Sequence, residues 1–231
     1  MSERAQTRER IVAAADALLS ERGRDAVTTR AVSAAAGVQP PAIYRLFGDM
    51  SGLLEAVATD AFQRYLVLKN AQPRADDPVD GLRIGWDVHV RFGLDNPAQY
   101  RLMGEFLSPG SDLPAARESR DILRGLVTRV AEAGRLSVGV DEAAQMVLAA
   151  GLGVTLTLLA QDPDRRDTAL SERTREAVIA SVTTDAAAPD DDREPARRAI
   201  ALRAVLDDSS AAFSPGERLL LEEMLDRLSR A

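Results

Sequence analysis

The chain has 231 residues, 45% hydrophobic and 28% charged, with a net charge of −7, one histidine (His89) and no cysteine. These values describe a globular chain of one or two domains. They exclude disulfides and thiolate metal sites, and one histidine argues against imidazole-rich zinc or iron centres. No uninterrupted run of 18 apolar residues marks a membrane span, and the opening MSERAQTRER has no signal-peptide core, so a cytoplasmic chain with no membrane partner is expected.

The helical signals begin at once. Residues 4–22 place Ile11, Ala14, Ala15, Leu18 and Leu19 on one stripe, and Gly23 stops that helix. Thr28 or Thr29 caps the next, over 29–36, with Val32 and Ala35 as its inner face. Gly37 makes a turn. A second short helix follows Gln39 over 40–46, with Pro40 at the first helical position, where a missing N–H costs nothing, and Pro41 tolerated in the same turn. Asp49 caps a longer helix over 50–69 whose stripe is Leu54, Val57, Ala58, Ala61, Phe62, Tyr65 and Leu68.

QPRADDP (72–78) reads as a loop. Helices are then expected over 79–94, from Asn96-Pro97 through Tyr100, Met103 and Phe106, and over 114–135 ending at Gly134, with a turn at PGSD (109–112). Asp141 caps a largely apolar helix to about Ala160, apolar nearly all round, which predicts that both of its faces are covered. Another helix follows Ser171. The acidic stretch 185–195 is a linker, and two helices close the chain over 195–209 and 215–229, the second opened by the capping box SPGE. The expected fold is all-α. A three-helix head spans 1–48, and residues 50–231 form a larger body that the 50–69 helix joins to it.

Charge divides along the same line. Residues 1–48 hold seven arginines (4, 8, 10, 22, 24, 30, 45) against five acids (3, 9, 16, 21, 25), a net of +2 that leaves −9 for the remainder. A mildly basic head on an acidic body is compatible with nucleic-acid binding by the head alone.

Two short helices across a glycine turn form a helix-turn-helix layout, in which the second helix enters the major groove of DNA. In TTRAVSAAAGVQPPAIYRLFGD (28–49), Ile43, Leu46 and Phe47 turn back into the head, which leaves Gln39, Pro40, Pro41, Ala42, Tyr44 and Arg45 for the outer surface and the tip. The prolines and Ala42 offer apolar contact to thymine methyls, and Arg30 can address a guanine edge through two hydrogen bonds. Thr28, Thr29 and Tyr44 supply hydroxyls for phosphate oxygens. The same two-helix pattern also occurs in helical proteins that never touch DNA.

RERIVAAADALLSERG and VTTRAVSAAAGVQPPAIYRLFGDMSGLLEAV closely resemble the N-terminal DNA-binding domain of the TetR family of bacterial transcriptional regulators, over roughly residues 6–58. The resemblance rests on the helix-1 stripe, TTR at the start of helix 2, AGV at the turn, Y-x-x-F closing helix 3, and LLEAV in helix 4. It implies a homodimer in which each subunit has a double-stranded-DNA-binding head and an effector-binding helical body. It also implies phosphate contacts at Thr29 and Tyr44, base reading at Arg30, and recognition-helix positions at Gln39, Pro40, Pro41 and Ala42. One position departs from the family pattern: Met50 stands where many members have a phosphate-contacting lysine, and Arg45 is a candidate to compensate.

The body matches the family only in its helices and in the stretch Asn-Pro-x-x-Tyr (96–100). The implied effector is a small molecule, apolar or aromatic by the residues available to line a pocket: Tyr65, Trp86, His89, Tyr100, Met103, Phe106 and Met146. An aromatic or methionine stripe at helical spacing is nonetheless more often ordinary core than pocket. For the dimer seam the candidates are 141–160, with Gly151 and Gly153 permitting close approach, and 170–184; the first reads equally as a central core helix. The sequence has no phosphate loop, dinucleotide fingerprint or nucleophile motif, so neither an enzyme nor a cofactor is expected. A helical interaction protein that has lost DNA binding is the alternative.

Overall fold

Ser2 opens the first helix, α1 (Glu3–Arg22), by accepting the Ala5 N–H on its hydroxyl. In this computed structural model residues 2–107, 113–184, 194–206 and 213–229 are described. They form eleven α-helices and two 3-10 turns; the one extended pairing among them is an isolated bridge between Leu136 and Thr183. The all-α expectation holds. The turn at 109–112 and all but the last two residues of the 185–195 linker lie outside the described residues.

The chain divides into two compact units. The first comprises Met1–Ala71 and Arg91–Ser119. A 3-10 turn (Arg24–Ala26) links α1 to α2 (Thr29–Ala36), and α3 (Pro40–Phe47) and α4 (Met50–Asn70) follow. Ile11, Val32, Ile43, Leu53 and Phe62 are at most 1% exposed and belong to the core of this unit. Each such side chain contributes about 1.5–3 kcal/mol by leaving water. The inner face of α2 is Val32 and Ser33, whereas Ala35 is exposed. The correction has a geometric cause: α2 packs on both α1 and α3, so adjacent residues face the angle between them. On α4 the buried stripe takes in Leu66 and leaves Leu68 46% exposed.

The unit also contains α6 (Pro97–Glu105), packed on α1 and α4. Gln99, a buried side chain on α6, donates to Asp16 Oδ1 at 2.7 Å and to Ser20 Oγ at 2.6 Å, both on α1. Arg64 of α4 reaches the other oxygen of Asp16 at 3.1 Å. One carboxylate on α1 therefore ties α4 and α6 to it, and Arg24 pairs with Glu105 at 3.3 Å.

The second unit comprises Gln72–Val90 and Arg120–Ala231. It holds most of α5 (Pro78–Asp95) and α7 (Pro114–Glu132), then α8 (Val140–Leu159), a 3-10 turn (Pro163–Arg165), α9 (Ala169–Val182), α10 (Glu194–Leu206) and α11 (Pro215–Ser229). Val79, Leu82, Val127, Val130, Leu136, Ala143, Ile179, Val182 and Ile200 form its core. Asp77 caps α5 through the Val79 N–H and takes both carboxylate oxygens to Arg135 at 2.8 Å, which holds its carboxyl below the usual range. Ser214 and Glu217 form the expected capping box at α11.

One expected cap and one expected helix start are corrected. Gly139 precedes α8, so Asp141 lies inside the first turn, where its charge suits the helix N-terminus and receives Arg124 Nε at 2.8 Å. Helix α9 begins before Ser171: Asp167 accepts the Ala169 N–H, which leaves the Ser171 hydroxyl to accept the Trp86 indole N–H at 3.0 Å.

Helix α8 is covered on one face only within a single chain. Gly151 faces α5, where a Cβ would lie 3.4 Å from the His89 ring and 3.8 Å from Trp86. Met146, Ala149, Gly153 and Leu156 form an exposed stripe, and no described atom lies within 4 Å of a Cβ at Gly153. By length and composition α8 is the one described helix that could cross a membrane; its inner face nonetheless packs in the core of this unit through Ala143.

Candidate nucleic-acid interface

The turn between α2 and α3 is closed by backbone alone. Gly37 takes a left-handed conformation (φ 63°), its N–H donates to Ala34 O at 3.4 Å, and the Val38 N–H donates to Ser33 O at 3.0 Å. This pair of bonds is the Schellman arrangement, and a side chain at Gly37 would be strained in it. The next helix starts with Gln39 outside it and with Pro40 and Pro41 in the first two positions, so the two missing N–H groups fall where no intrahelical partner exists. The result is a stiff, narrow tip.

The sequence-predicted residues lie on this surface. Thr28, Arg30, Gln39, Pro40, Pro41, Tyr44 and Arg45 are exposed, and Thr29 and Ala42 are half-buried. Thr28 settles the open choice of cap: its oxygen accepts the Ala31 N–H at 3.2 Å, which leaves the hydroxyl proton to donate outward. The hydroxyls of Thr29 and Tyr44 are 3.4 Å apart on the exposed side, with Tyr44 52% exposed. One of the two donates to the other, which leaves the second hydroxyl proton to donate outward, to an oxygen such as a phosphate's. Phe47 closes α3, with the Arg8 guanidinium 5.2 Å above its ring, a cation held against the head by a neutral partner.

Where α3 meets α4, Asp49 caps α4 by accepting the Gly52 N–H at 2.8 Å. Gly52 is packed so closely that a Cβ there would lie 2.1 Å from the Phe47 carbonyl oxygen. Met50 is half-buried in the first turn of α4.

The candidate effector residues are distributed over both units. In the first, Tyr65, Tyr100 and Met103 are buried and Phe106 half-buried. Tyr65 tilts onto Phe92 with ring centres 5.0 Å apart, and burial with the neighbouring Tyr100 pushes its phenol pKa up. In the second, Trp86 and His89 face Gly151, whereas Met146 stands on the exposed stripe of α8. That unit also has a crevice of about 720 Å³ between α7, the start of α8 and the α10–α11 pair; its lining includes Arg124, Asp141, Ile200 and Arg203, and not Trp86, His89 or Met146. Sequence reasoning missed Gln99 and Gly52, and neither had a visible signal.

A tri-helical head with an exposed, proline-tipped second helix defines a helix-turn-helix protein. Residues 11–57, from within α1 into α4, match the family described as bacterial regulatory proteins, tetR family. The likeness continues into the fold of the body. A protein of unknown function from Rhodococcus sp. RHA1 superposes with a TM-score of 0.67 at 20% identity, over 77% of this chain and 96% of its own. A bacterial regulatory protein in the tetR family from Rhodococcus RHA1 does so at 0.61 and 23% identity, over 80% of this chain and all of its own. A TetR family transcription regulator from Marinobacter aquaeolei VT8 gives 0.61 at 19% identity, with shares of 80% and 100%. No curated protein matches the chain. The head is thus that of the tetR family of bacterial regulatory proteins, and the chain has the fold of a TetR-family transcriptional regulator.

Proposed function

We propose that the chain is a cytoplasmic, ligand-responsive repressor that binds a palindromic operator as a homodimer and is released by a small molecule. The observation that supports the reading most is the exposed surface of α2 and α3, where Arg30, Gln39, Pro40, Pro41, Ala42 and Arg45 surround the paired hydroxyls of Thr29 and Tyr44. Residues 1–48 are the DNA-binding domain, and 50–231 bind the effector and form the dimer. The ligand-free dimer presents two α3 helices to half-sites about one helical turn apart. The effector displaces α4 and needs to prefer the released state by only a few kcal/mol. The test is enrichment of a random duplex pool by the full-length protein. A recovered palindrome with salt-dependent affinity supports the reading, and failure to enrich any sequence refutes it in favour of an interaction protein that has lost DNA binding.

With Met50 where a lysine would meet phosphate, Arg45 takes a larger share of the backbone contact. Arg45→Ala is expected to weaken binding to all sequences alike and to lower the slope of log affinity against log salt by about one. A titration at matched ionic strength that shows an unchanged slope removes Arg45 from the interface.

The dimer seam is the exposed stripe of α8. Gly153 faces open space there, so close approach by a second copy meets no obstacle, whereas Gly151 is already committed to His89 and Trp86. Leu156→Glu would set two carboxylates against each other across a two-fold axis and raise the dimer dissociation constant about 100-fold or more. Sedimentation that still finds a dimer at low micromolar concentration would place the seam elsewhere.

A further inference from the structure

The crevice of about 720 Å³ between α7, the start of α8 and the α10–α11 pair lies wholly within the second unit. Its volume is in the usual range for a small-molecule site. Part of its wall is apolar. Ile200 and Leu206 of α10 are buried there, and Val138, Val140 and Ala204 pack around Ile200.

The polar part of the wall offers acceptors. Its three hydroxyls each give their only proton to a backbone carbonyl: Thr128 to Arg124 O at 2.9 Å, Ser137 to Ser181 O at 3.4 Å and Ser229 to Asp226 O at 2.9 Å. What each has left for a ligand is a lone pair. Five carboxylates stand against two guanidiniums in the lining, a net of −3. Both guanidiniums are answered, Arg124 by Asp141 at 2.8 Å and Arg203 by Asp226 at 2.6 Å, and Arg218 holds Glu222 at 3.0 Å. Glu132, in the last turn of α7, and Glu142, in the first turn of α8, are exposed and make no ion pair among the described residues. The N–H groups that open α8 call for no anion, because Asp141 and Glu142 already supply negative charge in its first turn.

We propose that this crevice binds an aliphatic diamine, with its two ammonium groups on Glu132 and Glu142 and its methylene chain along Ile200 and Leu206. An ammonium brings three donors and no acceptor, which is what a wall of lone pairs lacks. The methylenes displace water from the apolar part of the wall. An anion would add to the net charge of −3 and find both guanidiniums already paired. A neutral ligand would leave the two glutamates as they are. The site lies apart from Trp86, His89 and Met146, and binding there does not depend on the chain being a repressor.

The test is calorimetric titration of the full-length protein with 1,6-diaminohexane, 1,6-hexanediol and adipate, one spacer carrying three kinds of end group. The diamine is expected to bind with a dissociation constant of about 1 mM or below, within reach of its roughly eight non-hydrogen atoms. Its affinity should fall as salt is raised, because the carboxylates are exposed. The diol and adipate should give no saturable heat. Glu132→Gln combined with Glu142→Gln, verified as folded by circular dichroism, keeps the size of both side chains and removes their charge. It should weaken the diamine about tenfold, the combined loss of two exposed ion pairs. Glu9→Gln combined with Glu55→Gln removes two exposed acids of the first unit and should leave the affinity unchanged, which separates a site from the general attraction of an acidic chain. No binding of the diamine, equal binding of the diol, or equal loss in the two double variants overturns the proposal.

Discussion

Gly52→Ala is expected to abolish operator binding and to destabilise the first unit by about 1–3 kcal/mol, the usual range for overfilling a packed site. In most helices the same change is favourable by about 0.5–1 kcal/mol, because alanine loses less backbone freedom than glycine. The sign reverses here because the added carbon would lie 2.1 Å from the Phe47 carbonyl oxygen, a backbone atom that cannot swing aside. Either α3 or α4 must move. That shift would disturb the Asp49 cap on the Gly52 N–H and the angle at which α3 is presented. Gly125→Ala is the control: it lies within α7 with no described atom within 4 Å of a Cβ, and it should raise stability slightly. Urea unfolding and a gel shift on the enriched duplex give both readouts. Equal behaviour of the two variants would remove the steric argument.

What was legible in the sequence follows from how local each determinant is. Caps, breakers and stripes act within a few residues, so α2, α3 and α4 could be bounded almost to the residue from Thr28, Gly37, the proline pair and Asp49. The outward placement of Tyr44 and Arg45 was equally local, since Ile43, Leu46 and Phe47 claim the inner face. Determinants that depend on a distant partner were not legible. Ser171 marked the expected start of a helix, yet it lies within α9 and its hydroxyl accepts from Trp86, 85 residues away. Gly151 and Gly153 look alike in the sequence, yet one meets His89 and the other faces open space. The uniform apolarity of α8 suggested two covered faces, but a single chain covers only one.

Gln99 is the strongest case of a distant partner, and its substitution should have the second large effect. Its amide nitrogen donates both protons to α1, at Asp16 and Ser20, from a buried position on α6. Gln99→Leu removes both donors and leaves Asp16 with Arg64 alone, at an expected cost of about 1–3 kcal/mol. Gln99→Glu goes further, because it places a second carboxylate within hydrogen-bond reach of the first in a site largely shielded from solvent. Like charges at that separation are not both tolerated without a counter-ion, and one Arg64 serves the two. The Glu variant is therefore expected to be the less stable of the two in urea. A partner substitution makes the test specific. Asp16→Asn added to Gln99→Glu restores one donor and one acceptor and keeps a single negative charge for Arg64. It should recover most of the lost stability and of the operator affinity. A merely volumetric role for Gln99 predicts no such recovery, since neither change alters side-chain size. If the double variant is no more stable than Gln99→Glu alone, the hydrogen bond from α6 is not what holds α1 in place, and the head owes its alignment to the apolar contacts around Phe62 and Leu102.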